Sequence, residues 1–203
     1  MRTQTKEIQE NLTPVNAHRI LVEGNRRFVD NVKAQRNLQE QVLETSEGQY
    51  PFAVILSCID SRVPVELVFD QGIGDVFSIR VAGNVVNQDV LGSMEYGCKV
   101  AGSKIVVVLG HTKCGAVTAA CQGVELGNVT ALLSKIKPVV SAAENESKWD
   151  SDAVDEVAKK NVRHSIQEIR DNSPILLDME GSGQIEIVGA MYSVATGEVT
   201  FFE

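Results

Sequence analysis

The segments Cys58-Ile59-Asp60-Ser61-Arg62 and His111-Thr112-Lys113-Cys114-Gly115 lie about fifty residues apart and together hold two thiols and one imidazole. Thiolate and imidazole suit Zn²⁺, whereas magnesium or calcium would want oxygen. Structural zinc sites usually close with four protein ligands, and three leave one tetrahedral corner for water. Cys58, His111 and Cys114 therefore point to a catalytic metal centre. Zinc lowers the pKa of its water to about 7, so hydroxide becomes available near neutrality to attack a small electrophilic carbon. Asp60 and Arg62 flank the first ligand. Their spacing leaves three roles open for the carboxylate: pairing with the guanidinium, binding the metal, or taking a proton from the metal's water.

These groups need elements to position them. Each ligand segment follows an apolar run, Phe52 to Leu56 and Ile105 to Leu109, that reads as a buried strand. Both would emerge at strand ends, where open α/β sheets bind ligands. His111 and Cys114, three apart, are expected on one face at the start of a helical turn. Val76 to Ala82 reads as a further strand, Lys104 to Leu109 as an interior parallel one, and Ile185 to Tyr192 and Val199 to Phe202 as a pair joined at Gly197. Helical spacing runs from Val15 to Asn31, interrupted by Gly24, and from Asn37 to Thr45, with a short helix opened by Pro64. Further helices are expected from Asp89 to Ala101, Ala116 to Cys121, Val129 to Ala143 and, strongly amphipathic, Asp152 to Asp171, with a charged loop from Glu144 to Asp152. The expected fold is α/β: a central mostly parallel β-sheet flanked by helices, with an N-terminal helical arm and C-terminal strands extending the sheet. One domain is expected to span 1–203, with the arm over 1–48 and the zinc-binding α/β core over 49–203.

The 203 residues carry a formal net charge of −8 without a Lys/Arg cluster, which argues against capture of nucleic acid or anionic membrane. No apolar run approaches the roughly 20 residues that span a bilayer, and the polar start Met1 to Glu10 lacks a signal-peptide core. The expected location is the cytoplasm. Cys98 and Cys121 lack metal-like spacing and are expected as buried small hydrophobes, and His18 and His164 as surface or satisfied core residues.

The two ligand segments together resemble the β-class carbonic anhydrases. The resemblance runs from Leu21-Val22-Glu23-Gly24-Asn25-Arg26-Arg27-Phe28 through Arg80-Val81-Ala82-Gly83-Asn84 and Met94-Glu95-Tyr96 to the C-terminal strands. It implies zinc on Cys58, His111 and Cys114, a catalytic dyad of Asp60 and Arg62, and reversible hydration of CO2 to bicarbonate and a proton by zinc-bound hydroxide. It also implies that Gln49 hydrogen-bonds the substrate and that Phe77 and Tyr96 wall the pocket. Homodimers or homotetramers follow, with the site at a subunit interface and N-terminal helices embracing the partner. Members with an inhibitory bicarbonate pocket carry a tryptophan three residues before the first zinc cysteine. Here that position is Ile55, although Arg80 matches an arginine of that pocket. The expectation is an open site with Asp60 off the metal. Ile59 departs from the small residue, Ser or Ala, that often follows the first cysteine, and its bulk leaves two consequences open, a narrower pocket or slower product release. Two alternatives stand beside CO2 hydration: hydrolysis of carbonyl sulfide or carbon disulfide on the same scaffold, and a zinc-stabilised binding protein with a vestigial dyad. A zinc deaminase would need His-x-Glu and Pro-Cys-x2-Cys around these ligands, and neither occurs.

Overall fold

A computed structural model describes residues 3–141 and 149–202. Its strands are β1 (Ala53–Ser57), β2 (Val76–Arg80), β3 (Ile105–His111), β4 (Glu186–Tyr192) and β5 (Val199–Phe202). They form a five-stranded sheet in the order β2-β1-β3-β4-β5. All neighbours are parallel except β5, which runs antiparallel to β4. Every residue of β1 and β3 is buried. A parallel strand covered on both faces needs apolar side chains on both, which is why these two read as unbroken apolar runs rather than as alternation.

The helices are α1 (Lys6–Asn11), α2 (Pro14–Val29), α3 (Leu38–Glu44), α4 (Val65–Val68), α5 (Gln88–Glu95), α6 (Gly115–Cys121), α7 (Gly127–Leu133), α8 (Lys137–Ser141), α9 (Ser151–Asn172) and α10 (Pro174–Gly181). One sheet face packs Ile55, Ile105, Val107 and Leu109 against Ala17 and Leu21 of α2. The other packs Val54, Leu56, Val106 and Val108 against Val90 and Met94 of α5, Val162, Ile166 and Ile169 of α9, and Leu176 of α10. Successive strand residues thus serve opposite faces, as the period of two requires.

The N-terminal helices begin where side-chain oxygens can take orphan amides: Thr5, Thr13 and Asn37 each accept the N–H of the residue three positions on. The arm is fastened through Asp70, whose carboxylate meets Arg27 at 2.5 Å and Arg36 at 2.6 Å. Burial alone would raise that carboxyl, but Arg27, the Ala34 amide and Arg36 bring it below the usual carboxylate range. Gly24 does not interrupt α2; it lets the helix lie against the end of α4. A Cβ there would stand 1.9 Å from the carbonyl oxygen of Phe69. Gly24→Ala is therefore expected to destabilise the fold by roughly 1–3 kcal/mol, read as a lower urea midpoint. An unchanged midpoint would contradict this docking.

Elsewhere the chain departs from its local pattern. The helix expected from Val129 to Ala143 is two helices, α7 and α8, broken before Pro138; Ala142 and Ala143 lie outside the described residues. Proline cannot donate the amide a continuous helix needs. Most of the expected loop from Glu144 to Asp152 also lies outside them, and α9 begins at Ser151 with Asp150 accepting the Ala153 N–H. The helix expected from Asp89 to Ala101 starts at Gln88 and widens after Glu95 into a π turn over Tyr96–Val100, closing at Gly102 with a φ of +86°. The helix α10 was not anticipated, although Ser173 caps it and Pro174 opens it. His18 lies 3.3 Å from Glu186, its ring tilted against that of Phe201 with centroids 4.5 Å apart. Cys98 and Cys121 are buried, as small hydrophobes.

Candidate metal centre

β1 and β3 are in register, with Ser57 opposite Leu109, so Cys58 just past β1 arrives beside the end of β3, where His111 is the last strand residue. Cys114 follows as the cap residue of α6. The expected helical turn between them is instead a tight turn through Lys113, in the left-handed region with a φ of 54°. A separation of three residues suits either geometry, and here the strand runs too far for a helix to contain both ligands.

The sulfurs of Cys58 and Cys114 and a ring nitrogen of His111 lie within 4.8 Å of one another. The three side chains are nearly inaccessible, at 4 %, 1 % and 0 % exposure respectively. Nδ1 of His111 lies 2.9 Å from the carbonyl oxygen of Thr112. A carbonyl only accepts, so Nδ1 carries the proton and Nε2 presents a lone pair. That Nε2 is buried without a hydrogen-bond partner. Buried polar atoms are normally satisfied, so an imidazole lone pair facing two sulfurs is suited to binding a cation. The thiols agree. Cys58 is lowered by the hydrogen bond from Cys114, against the cost of burial and with help from the Gly83 amide, while that same bond, with burial, raises Cys114. A divalent ion would hold both as thiolates. The donor set therefore fits zinc.

The turn after β2 closes one side of the group. Gly83, with a φ of 67°, brings its N–H to 3.3 Å from Sγ of Cys58. A Cβ there would meet Ile136 at 2.7 Å. Helix α9 secures this turn: Asn161 donates to the Gly83 carbonyl at 2.8 Å and Ser165 to that of Asn84 at 3.0 Å.

Asp60 and Arg62 are paired in the bidentate manner. Nε and Nη2 of Arg62 donate to Oδ1 and Oδ2 of Asp60 at 2.9 and 2.7 Å. This pairing holds the Asp60 carboxyl well below the usual carboxylate range. Oδ2 of Asp60 stands 3.9 Å from Nε2 of His111, beside the three-ligand group and outside it. Arg80 donates to the carbonyls of Cys58 at 3.1 Å and Asp60 at 2.6 Å, so it fastens the ligand loop. Ile55 is core, and Ile59 is 61 % exposed.

Gln49, Phe77 and Tyr96 come together, but elsewhere. They line a groove of about 480 Å³ with Gln9, Tyr50 and Val100. The rings of Phe77 and Tyr96 meet edge-on at 6.3 Å. Phe77 pairs with Val54, four residues before Cys58, which is about 13 Å along the strand. Within one chain these residues do not join the metal group. Three residues at the centre escaped sequence reasoning: Gly83, Asp155, whose carboxylate accepts the Lys113 N–H, and Tyr192, paired opposite His111 at the end of β4. Gly83 lies within the segment Arg80-Val81-Ala82-Gly83-Asn84 that carries part of the resemblance; the other two lie on elements distant in sequence and carried no signal.

A sequence model of the carbonic anhydrase family matches residues 53–199. The chain is 36 % identical over 194 residues to carbonic anhydrase 2 of Mycobacterium tuberculosis, an alignment covering 92 % of both. Among solved structures, it resembles the β-carbonic anhydrase of Coccomyxa in complex with acetazolamide, with a TM-score of 0.72, 26 % identity and coverage of 90 % of this chain and 84 % of that one. It shares its fold with tetrameric β-carbonic anhydrases of Sordaria macrospora, with a TM-score of 0.72 at 21 % identity over 81 % of this chain and 90 % of that one.

Proposed function

The chain belongs to the β-carbonic anhydrase family, and from this we propose how its own residues carry out that family's reaction, the reversible hydration of CO2 to bicarbonate and a proton. The observation that carries the reading is the bare Nε2 of His111 set among two cysteine sulfurs with the Asp60–Arg62 pair beside it. Cys58, His111 and Cys114 would hold zinc. When bound, zinc supplies a Lewis acid that makes water acidic enough to serve as a nucleophile near neutrality.

The remaining work falls to the protein. Arg62 locks Asp60 as a carboxylate whose acceptor oxygen can take a hydrogen bond from the attacking oxygen, fixing its lone pair toward carbon. Because Arg62 keeps Asp60 ionised far below neutrality, Asp60 does not titrate in the working range. The Gly83 amide steadies the Cys58 sulfur, and Arg80 steadies the loop that carries Cys58 and Asp60. Tight backbone support of this kind holds reacting groups in place without reorganisation.

Substrate contacts come from a second copy of the chain in this reading. The groove holding Gln49, Phe77 and Tyr96 lies far from the metal group of its own chain, and Tyr96 is 56 % exposed. Docked against a partner's metal group, it would supply apolar walls that favour an uncharged gas and one amide to donate to its oxygen. Arm helices α1 to α3 expose Val15, Leu38 and Leu43, which suits their embrace of a partner. A homodimer, or a homotetramer built from two, follows. Residues 1–48 serve as the arm and 49–203 as the core of one domain, a division the family match over 53–199 supports. We place the protein in the cytoplasm, a site that suits its four free cysteines. Among the described residues no helix is long and apolar enough to cross a membrane.

The test is zinc content and stopped-flow hydration of CO2 on one preparation, with carbonyl sulfide as the comparison substrate. The expected result is one zinc per chain and a CO2 rate that rises from about pH 6 to about pH 9 as water at the site ionises. Turnover of carbonyl sulfide without CO2 hydration would overturn the assignment.

A further inference from the structure

Asp155, in the first turns of α9, has no part in the functional reading above, yet its carboxylate has a defined target. Its Oδ1 accepts the backbone N–H of Lys113 at 2.7 Å. Lys113 stands between His111 and Cys114 with a φ of 54°, a conformation that L side chains rarely adopt. Glycine, asparagine or aspartate would take it readily; lysine brings no local hydrogen bond to hold it there. On the other side of the same residue, the Lys113 carbonyl accepts Nη2 of Arg62 at 3.3 Å. One residue's backbone therefore joins three things: the chain segment between two metal-group residues, the guanidinium that holds Asp60, and a carboxylate on a helix.

That helix is a rigid base. The neighbours of Asp155 on α9, Val154, Val157 and Ala158, are buried in the same cluster as Cys58 and Cys114. The same helix also holds the opposite wall through Asn161 and Ser165. A carboxylate on a fixed element can impose a backbone conformation on a turn that its own residues would not choose.

We propose that Asp155 is a positioning residue of the metal centre: by holding the Lys113 amide it sets the left-handed turn, and with it the approach of Cys114 to His111 and the aim of Arg62 at Asp60. The proposal rests on the reading of Cys58, His111 and Cys114 as metal ligands. Asp155 touches neither ligand nor substrate. It acts through Lys113, and it does so as a hydrogen-bond acceptor rather than as a charge.

Two variants separate these possibilities. Asp155→Asn keeps an oxygen for the Lys113 amide and loses the charge, whereas Asp155→Ala loses both. In the metal-free protein, hydrogen exchange at the Lys113 amide is expected to be at least about tenfold faster in Asp155→Ala and near wild type in Asp155→Asn. In the zinc-loaded protein, Asp155→Ala is expected to lose zinc to a chelator about tenfold faster and to drop in kcat by about tenfold, the scale seen when support of a metal ligand is removed. KM should change little, and Asp155→Asn should stay within about twofold of wild type throughout. Unchanged Lys113 exchange in Asp155→Ala overturns the proposal. So does an Asp155→Asn protein as impaired as Asp155→Ala, which would make charge the operative property. Exchange is read without metal or substrate, so a wild-type protein inactive on CO2 would sink the functional reading and leave this result to be judged alone.

Discussion

Asp60→Asn should lower kcat for CO2 hydration by about 10²–10⁴-fold, the range in which a positioned proton acceptor contributes, while zinc content stays at the wild-type level. The reason lies in the pairing with Arg62. Both carboxylate oxygens accept from the guanidinium, at 2.9 and 2.7 Å. An amide can offer only one oxygen to that fork: an NH2 in place of Oδ1 opposes Nε and the backbone N–H of Arg62. An NH2 in place of Oδ2 opposes Nη2 and sets a donor where the attacking oxygen needs an acceptor, on the side 3.9 Å from Nε2 of His111. The loss should fall on kcat, because Asp60 sits beside the metal group and the proposed substrate walls belong to the partner's groove. Stopped-flow kinetics with metal analysis of the same sample reads both quantities. A variant with wild-type kcat would mean that the carboxylate is ornamental and would restore the reading of a zinc-stabilised binding protein.

Cys114→Ser carries the second large effect: the protein should fold, fail to retain zinc through dialysis against a chelator, and hydrate CO2 no faster than buffer does. Serine nearly preserves the volume of a side chain that is 1 % exposed, so packing against Val117 and Ile136 survives. It does not preserve the thiolate, and a hydroxyl is a poor zinc ligand near neutrality. With Cys114 gone, two donors remain, too few for the three-ligand arrangement of catalytic zinc. Cys98→Ala is the matched comparison. Cys98 lies buried within the π turn, and burial pushes its thiol up to about 12, so it is a packing residue. Zinc and activity should both survive that change. Equal zinc retention by Cys114→Ser and the wild type would remove Cys114 from the metal centre.

The sheet was legible from residue pattern because β1 and β3 must be apolar on both faces, and β3 carries four β-branched residues in a row, Ile105 to Val108, a run that no helix among the described residues matches. The metal group was legible for a different reason: two sulfurs and a nitrogen at the ends of such strands have few other uses. The turn between His111 and Cys114 was not legible. Its conformation depends on Lys113 adopting a left-handed φ, and that conformation is held by Asp155 from another element, so nothing within the segment announces it. The break between α7 and α8 was marked by Pro138 and could have been read. For Gln49, Phe77 and Tyr96, residue types and resemblance name a pocket without saying which copy of the chain it serves. Only the register of β1 with β2 shows that a chain cannot bring Phe77 to its own Cys58.

Reconstitution with zinc tests the central claim most directly. Protein stripped by a chelator is titrated with zinc while CO2 hydration is followed. The account predicts no hydration at the start, a linear rise, and a plateau at one zinc per chain that Cys114→Ser never reaches. Full activity in the stripped protein, or a plateau reached equally by Cys114→Ser, would contradict it.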